Sequence, residues 1–342
     1  MIPPREYSQR LGALTHAQLQ AALDRFELGA LIAAEPAPGG LFGQNVMLTS
    51  SAGEYVLRGN PHAGQMERER YVASVIRERT SVPVPWPYLI EEDASLFGWP
   101  YAVMPRLPGV QLADGDVRKS LSPDDRSAIV VALAECLAGL HSAAFDFVGV
   151  YDDQTRAYAP AAKPFAEWWP DWTRWWLERC RAASSATTGD DVTWVEGVLA
   201  AAREAIARPF QPALVHTDFK EGNAVAMHES GRWRISGVFD LAETHLGDGE
   251  YDLARAYSEY RLRDTERARL YVRRYLELRP PRPGFAERFQ AYVLHDRQII
   301  WEYGQRNGIW FTPGMSLREW AEPLLAAAAE DARISEAAAS AV

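Results

Sequence analysis

Lysine is almost missing from this chain. Lys119, Lys163 and Lys220 are the only three, against 36 lysines and arginines together, so a lysine at a chemically demanding position carries some weight. Cysteine is as scarce: Cys136 and Cys180 lie far apart, with no Cys-x-x-Cys and no Cys/His cluster, which excludes a disulfide framework and a thiolate zinc site. Surplus positive charge is missing too. Asp and Glu number 46 and the formal charge is −10, which argues against a nucleic-acid partner held by phosphate neutralisation. The longest apolar run, 129–140, is broken by Glu135 and too short for a membrane. Residues 1–6 lack the apolar segment of a secretory signal, so a soluble, cytoplasmic protein is expected. Gly-x-x-x-x-Gly-Lys-Ser/Thr does not occur, which argues against a P-loop NTPase. What is present, 342 residues with 47% hydrophobic and 24% charged, suffices for one large or two modest globular domains.

The pattern divides the chain into two unequal lobes, 1–104 and 105–333, with an alanine-rich tail, 334–342, expected to fray. In the first lobe, short extended runs at 45–49 and 55–58 flank the turn 50–53 and predict a β-hairpin. A helix follows in which Glu69, Val72 and Ile76 share one face, and a carboxylate on an apolar face needs a partner. Extended segments at 88–91 and 101–104 close this lobe, and Pro105 is read as the start of a hinge. Beyond it the spacing predicts helices at 123–141, 165–181, 190–207, 252–261, 266–278 and 284–304. Two short strands interrupt them, 213–215 and 233–239, each ending in a polar residue, His216 and Asp240. A functional group at a strand end is held rigidly yet stays reachable.

The first of these strands continues as His216-Thr217-Asp218-Phe219-Lys220-Glu221-Gly222-Asn223, that is His-x-Asp, four residues, Asn. The second ends at Asp240, and Gly247-Asp248-Gly249-Glu250-Tyr251-Asp252-Leu253-Ala254 then opens a helix. Phosphoryl transfer needs a carboxylate to orient the attacking hydroxyl, oxygen ligands for Mg²⁺ and positive charge on the phosphates. Asp218 suits the first task, while Asn223 and Asp240 offer hard oxygen ligands for the second. Lys220, one of only three lysines, stands two residues beyond Asp218.

These motifs, in this order, resemble the aminoglycoside phosphotransferase family, which includes choline-kinase-like and other small-molecule kinases. The resemblance runs from Gly39 to about Ala256 by motif. It implies an α+β, bilobal, protein-kinase-like fold, with a small antiparallel β-sheet lobe bearing one helix and a larger, mainly helical lobe. It also implies an ATP-dependent, Mg²⁺-requiring transfer to a hydroxyl of a small aminoglycoside-, sugar- or amino-alcohol-like molecule, with GTP as the alternative donor. By the same resemblance Asp218, Lys220 and His216 form the catalytic loop, with His216 bracing it, and Asn223 and Asp240 hold the metal. Arg58 stands where the fold usually has a phosphate-binding lysine, paired with Glu69, and Gly40, Gly43 and Met104 fall at nucleotide-contact positions. Two departures stand out: arginine at 58, and Thr217 where the family usually has glycine. They support the rival reading of a catalytically silent kinase-fold binder.

The eleven residues between Asp240 and Asp252 leave no room for a peptide-docking segment, so a small-molecule acceptor is expected. In the resemblance, acidic groups line the acceptor site, with Glu243, Glu302 and Asp171 the candidates here, and Trp301 beside Glu302 a further substrate-site candidate. Trp168, Trp169, Trp172, Trp175 and Trp176 follow the spacing of one helix face. Core packing is the expected role, with a cation–π wall for an amine as the alternative.

Overall fold

The computed structural model describes residues 14–37, 44–59, 63–308 and 314–339 and resolves the chain into two compact units. The first is built from Met1–Leu121, Tyr151–Ala157 and Gly222–Glu243, the second from Ser122–Val150, Tyr158–Glu221 and Thr244–Val342. Gly40 and Gly43 lie outside the described residues.

The first unit opens with α1 (His16–Asp24), started by a capping box in which Thr15 and Gln18 exchange hydrogen bonds. Then come β1 (Leu31–Pro36), β2 (Gln44–Ser50), β3 (Gly53–Gly59), α2 (Ala63–Arg79), β4 (Leu89–Glu91) and β5 (Tyr101–Pro105). The strands form one antiparallel sheet in the order β1-β2-β3-β5-β4. The expected hairpin is β2–β3, with Leu48 opposite Tyr55 and Ser50 opposite Gly53 at the turn. Successive side chains of a strand face opposite ways. On β5, Tyr101 and Val103 therefore join Leu23, Leu48 and Leu57 in one cluster, while Ala102 and Met104 join Met66 and Tyr88 in another. Pro105, read as the start of a hinge, instead pairs with Tyr55 at the end of β5.

This unit also continues past 104, through β6 (Val110–Gln111) and α3 (Gly115–Ser120). It recovers a later hairpin, β10 (Ala224–Glu229) with β11 (Arg232–Val238), in a second sheet ordered β11-β10-β6. Gly109, at φ 116°, lets β6 approach β10, since a Cβ there would collide with the Ala226 carbonyl. The Val238 N–H donates to the Pro83 carbonyl at 2.9 Å and ties this hairpin to the same unit.

The second unit is mainly helical. Its helices are α4 (Pro123–Leu140), α5 (Phe165–Ala183), α6 (Gly189–Ile206), α7 (Leu253–Arg261), α8 (Thr265–Leu278), α9 (Phe285–Asn307) and α10 (Leu317–Ala339). Capping boxes start α4 and α6, from Ser122 with Asp125 and from Thr188 with Asp191. A sheet ordered β8-β7-β12-β9 comprises β7 (Gly149–Asp152), β8 (Ala157–Pro160), β9 (Ala213–Val215) and β12 (His245–Gly247). Helix α9 is the packing centre, in contact with α5, α6, α7 and α10. The segment from Ile334, expected to fray, is helical to Ala339, with Ser335 buried. Among the described residues no helix is long and apolar enough to cross a membrane.

Candidate active site

In the first unit, Arg58 sits near the end of β3, opposite Ala102 of β5. Its Nη2 lies 2.8 Å from Glu69 Oε1 on α2 and 3.6 Å from Asp240 Oδ1. The other Glu69 oxygen accepts the Tyr88 hydroxyl at 2.6 Å. Burial pushes the Glu69 carboxyl up, and Arg58 pulls it back; the 2.8 Å pairing and the Tyr88 hydrogen bond favour the ionised form. Burial alone would lower Arg58, yet Glu69, Tyr88 and Asp240 raise it, so the guanidinium is permanently charged. Its Nε–H is buried and meets no acceptor among the described residues.

Asn223 and Asp240 come together at the open end of the β10–β11 hairpin. Asn223 immediately precedes β10, and its carbonyl accepts the Phe239 N–H at 3.1 Å. Asp240 holds φ at 66°, which non-glycine residues seldom adopt, and its side chain is 45% exposed. The pair offers hard oxygen donors of the kind Mg²⁺ accepts alongside phosphate oxygens and water. Among the described residues no group of three or more His, Cys, Asp or Glu gathers as an all-protein cage. The donor set therefore suits a cation that arrives with a phosphate ligand, and the orphaned Arg58 donor suits the phosphate.

In the second unit, β9 delivers the chain into the loop that begins at His216. The Asp252 carboxylate, fully buried, accepts the His216 N–H at 2.6 Å and the Thr217 N–H at 2.7 Å. The same carboxylate meets His141 Nε2 at 3.1 Å, and His141 Nδ1 meets the Tyr275 hydroxyl at 2.8 Å. Thr217 stands at φ 75°, where the family's usual glycine is at ease, and its hydroxyl lies 3.1 Å from His245 Nδ1 on β12. His216 is buried with its ring against Phe219.

Asp218 is one-third exposed, and its carboxylate is flanked by two cations. Lys220 Nζ reaches both oxygens, at 2.8 and 2.6 Å, and Arg255 Nε donates to Oδ1 at 2.8 Å. Burial would raise this carboxyl, but Arg255 and Lys220 outweigh it and hold the group well below the usual carboxylate range. Arg255 lies 3.5 Å from Asp296 on α9, which in turn pairs with Arg297 at 2.6 Å.

Other expected residues sit elsewhere. Met104 is buried among Met66, Tyr88 and Ala102. Trp301 is fully buried, donating to the Thr187 hydroxyl at 2.9 Å, and Glu302 is buried between Arg179 and Arg306. Asp171 pairs with Lys163 at the surface. Glu243 is exposed and lines a cavity of the first unit. Of the tryptophan row, Trp169 is buried against Tyr292 and His295, and Trp168 stacks on Trp172 beside His245. Trp175, expected in the core, is 51% exposed, and the guanidinium over Trp175 and Trp176 is the protein's own Arg179. Arg255, Asp252 and Asp296 escaped the sequence reading as site residues. Asp252 was in view within the motif, and Arg255 follows it by three positions on the helix that the motif opens.

A five-stranded antiparallel sheet with helix α2 between its third and fourth strands in chain order, a mainly helical second unit and a carboxylate-bearing loop between short strands define the α+β protein-kinase-like fold. Solved structures share it. A candidate aminoglycoside phosphotransferase from Ralstonia eutropha matches with a TM-score of 0.66 at 19% identity, covering 94% of this chain and 99% of its own. A thermostable mutant of aminoglycoside phosphotransferase APH(4)-Ia, in ternary complex with ADP and hygromycin B, matches with a TM-score of 0.63 at 19% identity, over 92% and 98%. By sequence, homoserine kinase from Burkholderia mallei (strain SAVP1) is 27% identical over 312 residues, 84% of this chain and 85% of the relative. The model of the phosphotransferase enzyme family matches residues 33–288, and the chain belongs to that family.

Proposed function

We propose that this protein is an ATP-dependent kinase that transfers the γ-phosphoryl group to a hydroxyl of a small molecule. The observation that carries the reading is the state of Asp218, a partly exposed carboxylate kept ionised between Lys220 and Arg255 on a loop whose backbone Asp252 clamps. Such a carboxylate accepts the hydroxyl hydrogen and aims the oxygen at phosphorus. Lys220, already beside Asp218, is the cation for the transferring phosphoryl group, and His216 acts only through the loop it helps to hold. Arg58, with its orphaned Nε–H, binds the nucleotide phosphates while Glu69 holds its position. Asn223 and Asp240 are the ligands for Mg²⁺, which when bound neutralises phosphate charge.

The relatives guide the choice of acceptor. A homoserine kinase at 27% identity supports an amino-acid alcohol as the first hydroxyl to try, ahead of the aminoglycosides that fold similarity brings to mind. The test is ADP release across a panel of hydroxylated amines, amino acids and sugars with Mg-ATP, repeated with Asp218→Asn. On the acceptor found, that variant should lose on the order of 10²-fold or more in turnover, with Mg-ATP affinity retained. A variant that turns over normally removes Asp218 from the reaction.

A further inference from the structure

We propose that Asp296 on α9 is a positioning residue for phosphoryl transfer: by holding Arg255 it limits that arginine to a one-point grip on Asp218, so that the carboxylate keeps a lone pair for the acceptor hydroxyl. The inference rests on the kinase reading of Asp218 and concerns a residue to which that reading gives no task.

The geometry starts at Arg255. Its Nε donates to Asp218 Oδ1 at 2.8 Å, the single hydrogen bond that this arginine makes to that carboxylate. Arginine beside a carboxylate frequently closes on it with two parallel N–H bonds. Here the terminal nitrogens face other acids, Nη1 lying 3.5 Å from Asp296 Oδ1 and Nη2 3.7 Å from Glu259 Oε1. Burial alone would lower Arg255, yet Asp218, Asp296 and Glu259 raise it, so a charged guanidinium sits among three acids.

Of the two side anchors, Asp296 is the firmer. Glu259 follows Arg255 by one turn of the same helix and is 26% exposed, so water screens it. Asp296 comes from a different helix and is 6% exposed. Its two oxygens are divided: Oδ1 faces Arg255, while Oδ2 accepts Nε and Nη2 of Arg297 at 3.1 and 2.6 Å. Arg297 is buried in turn, with its guanidinium 5.2 Å from the centre of the Trp320 ring on α10. The orientation of Asp296 is thus set from outside the catalytic loop.

Without the Asp296 charge, the guanidinium turns toward Asp218 and closes on it with two N–H bonds. Lys220 already reaches both oxygens of that carboxylate, at 2.8 and 2.6 Å. A second arginine bond occupies the lone pair that the hydroxyl hydrogen needs, so turnover falls while nucleotide binding does not.

The test reads the full chain in two ways. The first is nitrogen-15 NMR of the arginine side chains without nucleotide, in which the Arg255 Nε–H is the resonance missing from Arg255→Met. Asp296→Asn should shift it. The second is a double-mutant cycle in turnover, on the acceptor that the ADP-release panel finds. Asp296→Asn should lose about tenfold in kcat with the KM for Mg-ATP unchanged, and in an Arg255→Met background it should change kcat by less than about twofold. Asp296→Asn leaves Arg297 buried beside a weaker partner, so a second variant, Asp296→Asn with Arg297→Met, removes the buried pair together and should lose the same factor. An unmoved resonance overturns the proposal. So does an equal loss in the Arg255→Met background, or a rise in acceptor KM with kcat unchanged, since Asp296 then acts on its own. Those failures leave the kinase reading standing, whereas a parent that turns over no acceptor overturns that reading and this proposal with it.

Discussion

Arg255 does for Asp218 what burial alone would undo. The depressed folded-state carboxyl means that the ion pairs stabilise the protein above the unfolded carboxylate pKa, about 3.9, and that this contribution is lost as pH falls through the lower folded value. At any pH where a kinase works, Asp218 is therefore a carboxylate, and it sets no acid limb above about pH 4. Arg255→Met removes the largest charge that lowers it while Lys220 stays. The acid limb of kcat/KM should move to higher pH in this variant; a profile identical to the parent's would make Arg255 a purely structural partner. Thr217 poses a different question. A β-branched residue in the left-handed region costs about 1–2 kcal/mol, and here its hydroxyl partly offsets that through His245. Thr217→Gly relieves the strain and loses the hydrogen bond, so stability should change by less than about 1 kcal/mol. Thr217→Val keeps the strain and loses the bond, and should fall by ~1 kcal/mol in urea unfolding.

The elements that hold the site were legible to different degrees, for physical reasons. The longer helices α4, α5, α6, α8 and α9 showed themselves because their apolar faces repeat over several turns, and Glu69 announced its partner because an acid on such a face cannot stay unpaired. Strands β6, β7, β8 and β12 are two to four residues long, too short for alternation to register. Helix α10 was hidden by Pro323 and by alanines that mark no face. What the motif around Asp252 does was also invisible, since hydrogen bonds to a distant backbone leave no local pattern. Asp248 and Glu250 of the same motif meet Arg282 and the fully buried Arg288 of α9, and Tyr292 donates to Asp248 at 2.6 Å. The acids of this motif are thus fasteners. Asp252→Asn turns an amide N–H₂ toward backbone donors and should cost about 3 kcal/mol, with turnover falling as the loop loosens. Loss of stability without loss of turnover in the folded fraction would separate the clamp from catalysis.

At the scale of the whole molecule, the chain leaves its first unit at Leu121 and returns to it only for Tyr151–Ala157 and Gly222–Glu243. The glutamate, arginine and oxygen donors assigned to the nucleotide and metal are all in that unit, yet Asn223 and Asp240 reach it through the last returning segment, some hundred residues after Leu121. A cut after Leu121 therefore removes both proposed metal donors and two of the three strands of the β11-β10-β6 sheet, and a cut at 104, where the first lobe read from sequence ends, removes all three strands. Mg-ATP should raise the melting temperature of the full chain in a Mg²⁺-dependent way. The fragment 1–121 should show no Mg²⁺-dependent rise, and neither should the full chain carrying Asp240→Ala, although that variant keeps its apo melting temperature. Joining 222–243 to the fragment through a flexible Gly/Ser linker should restore the response, because the hairpin brings its own register with β6 through Val225 opposite Gln111 and Ala226 opposite Val110. A metal-dependent shift in the unextended fragment equal to that of the full chain would show that the cation is held elsewhere, and would withdraw Asn223 and Asp240 from the site.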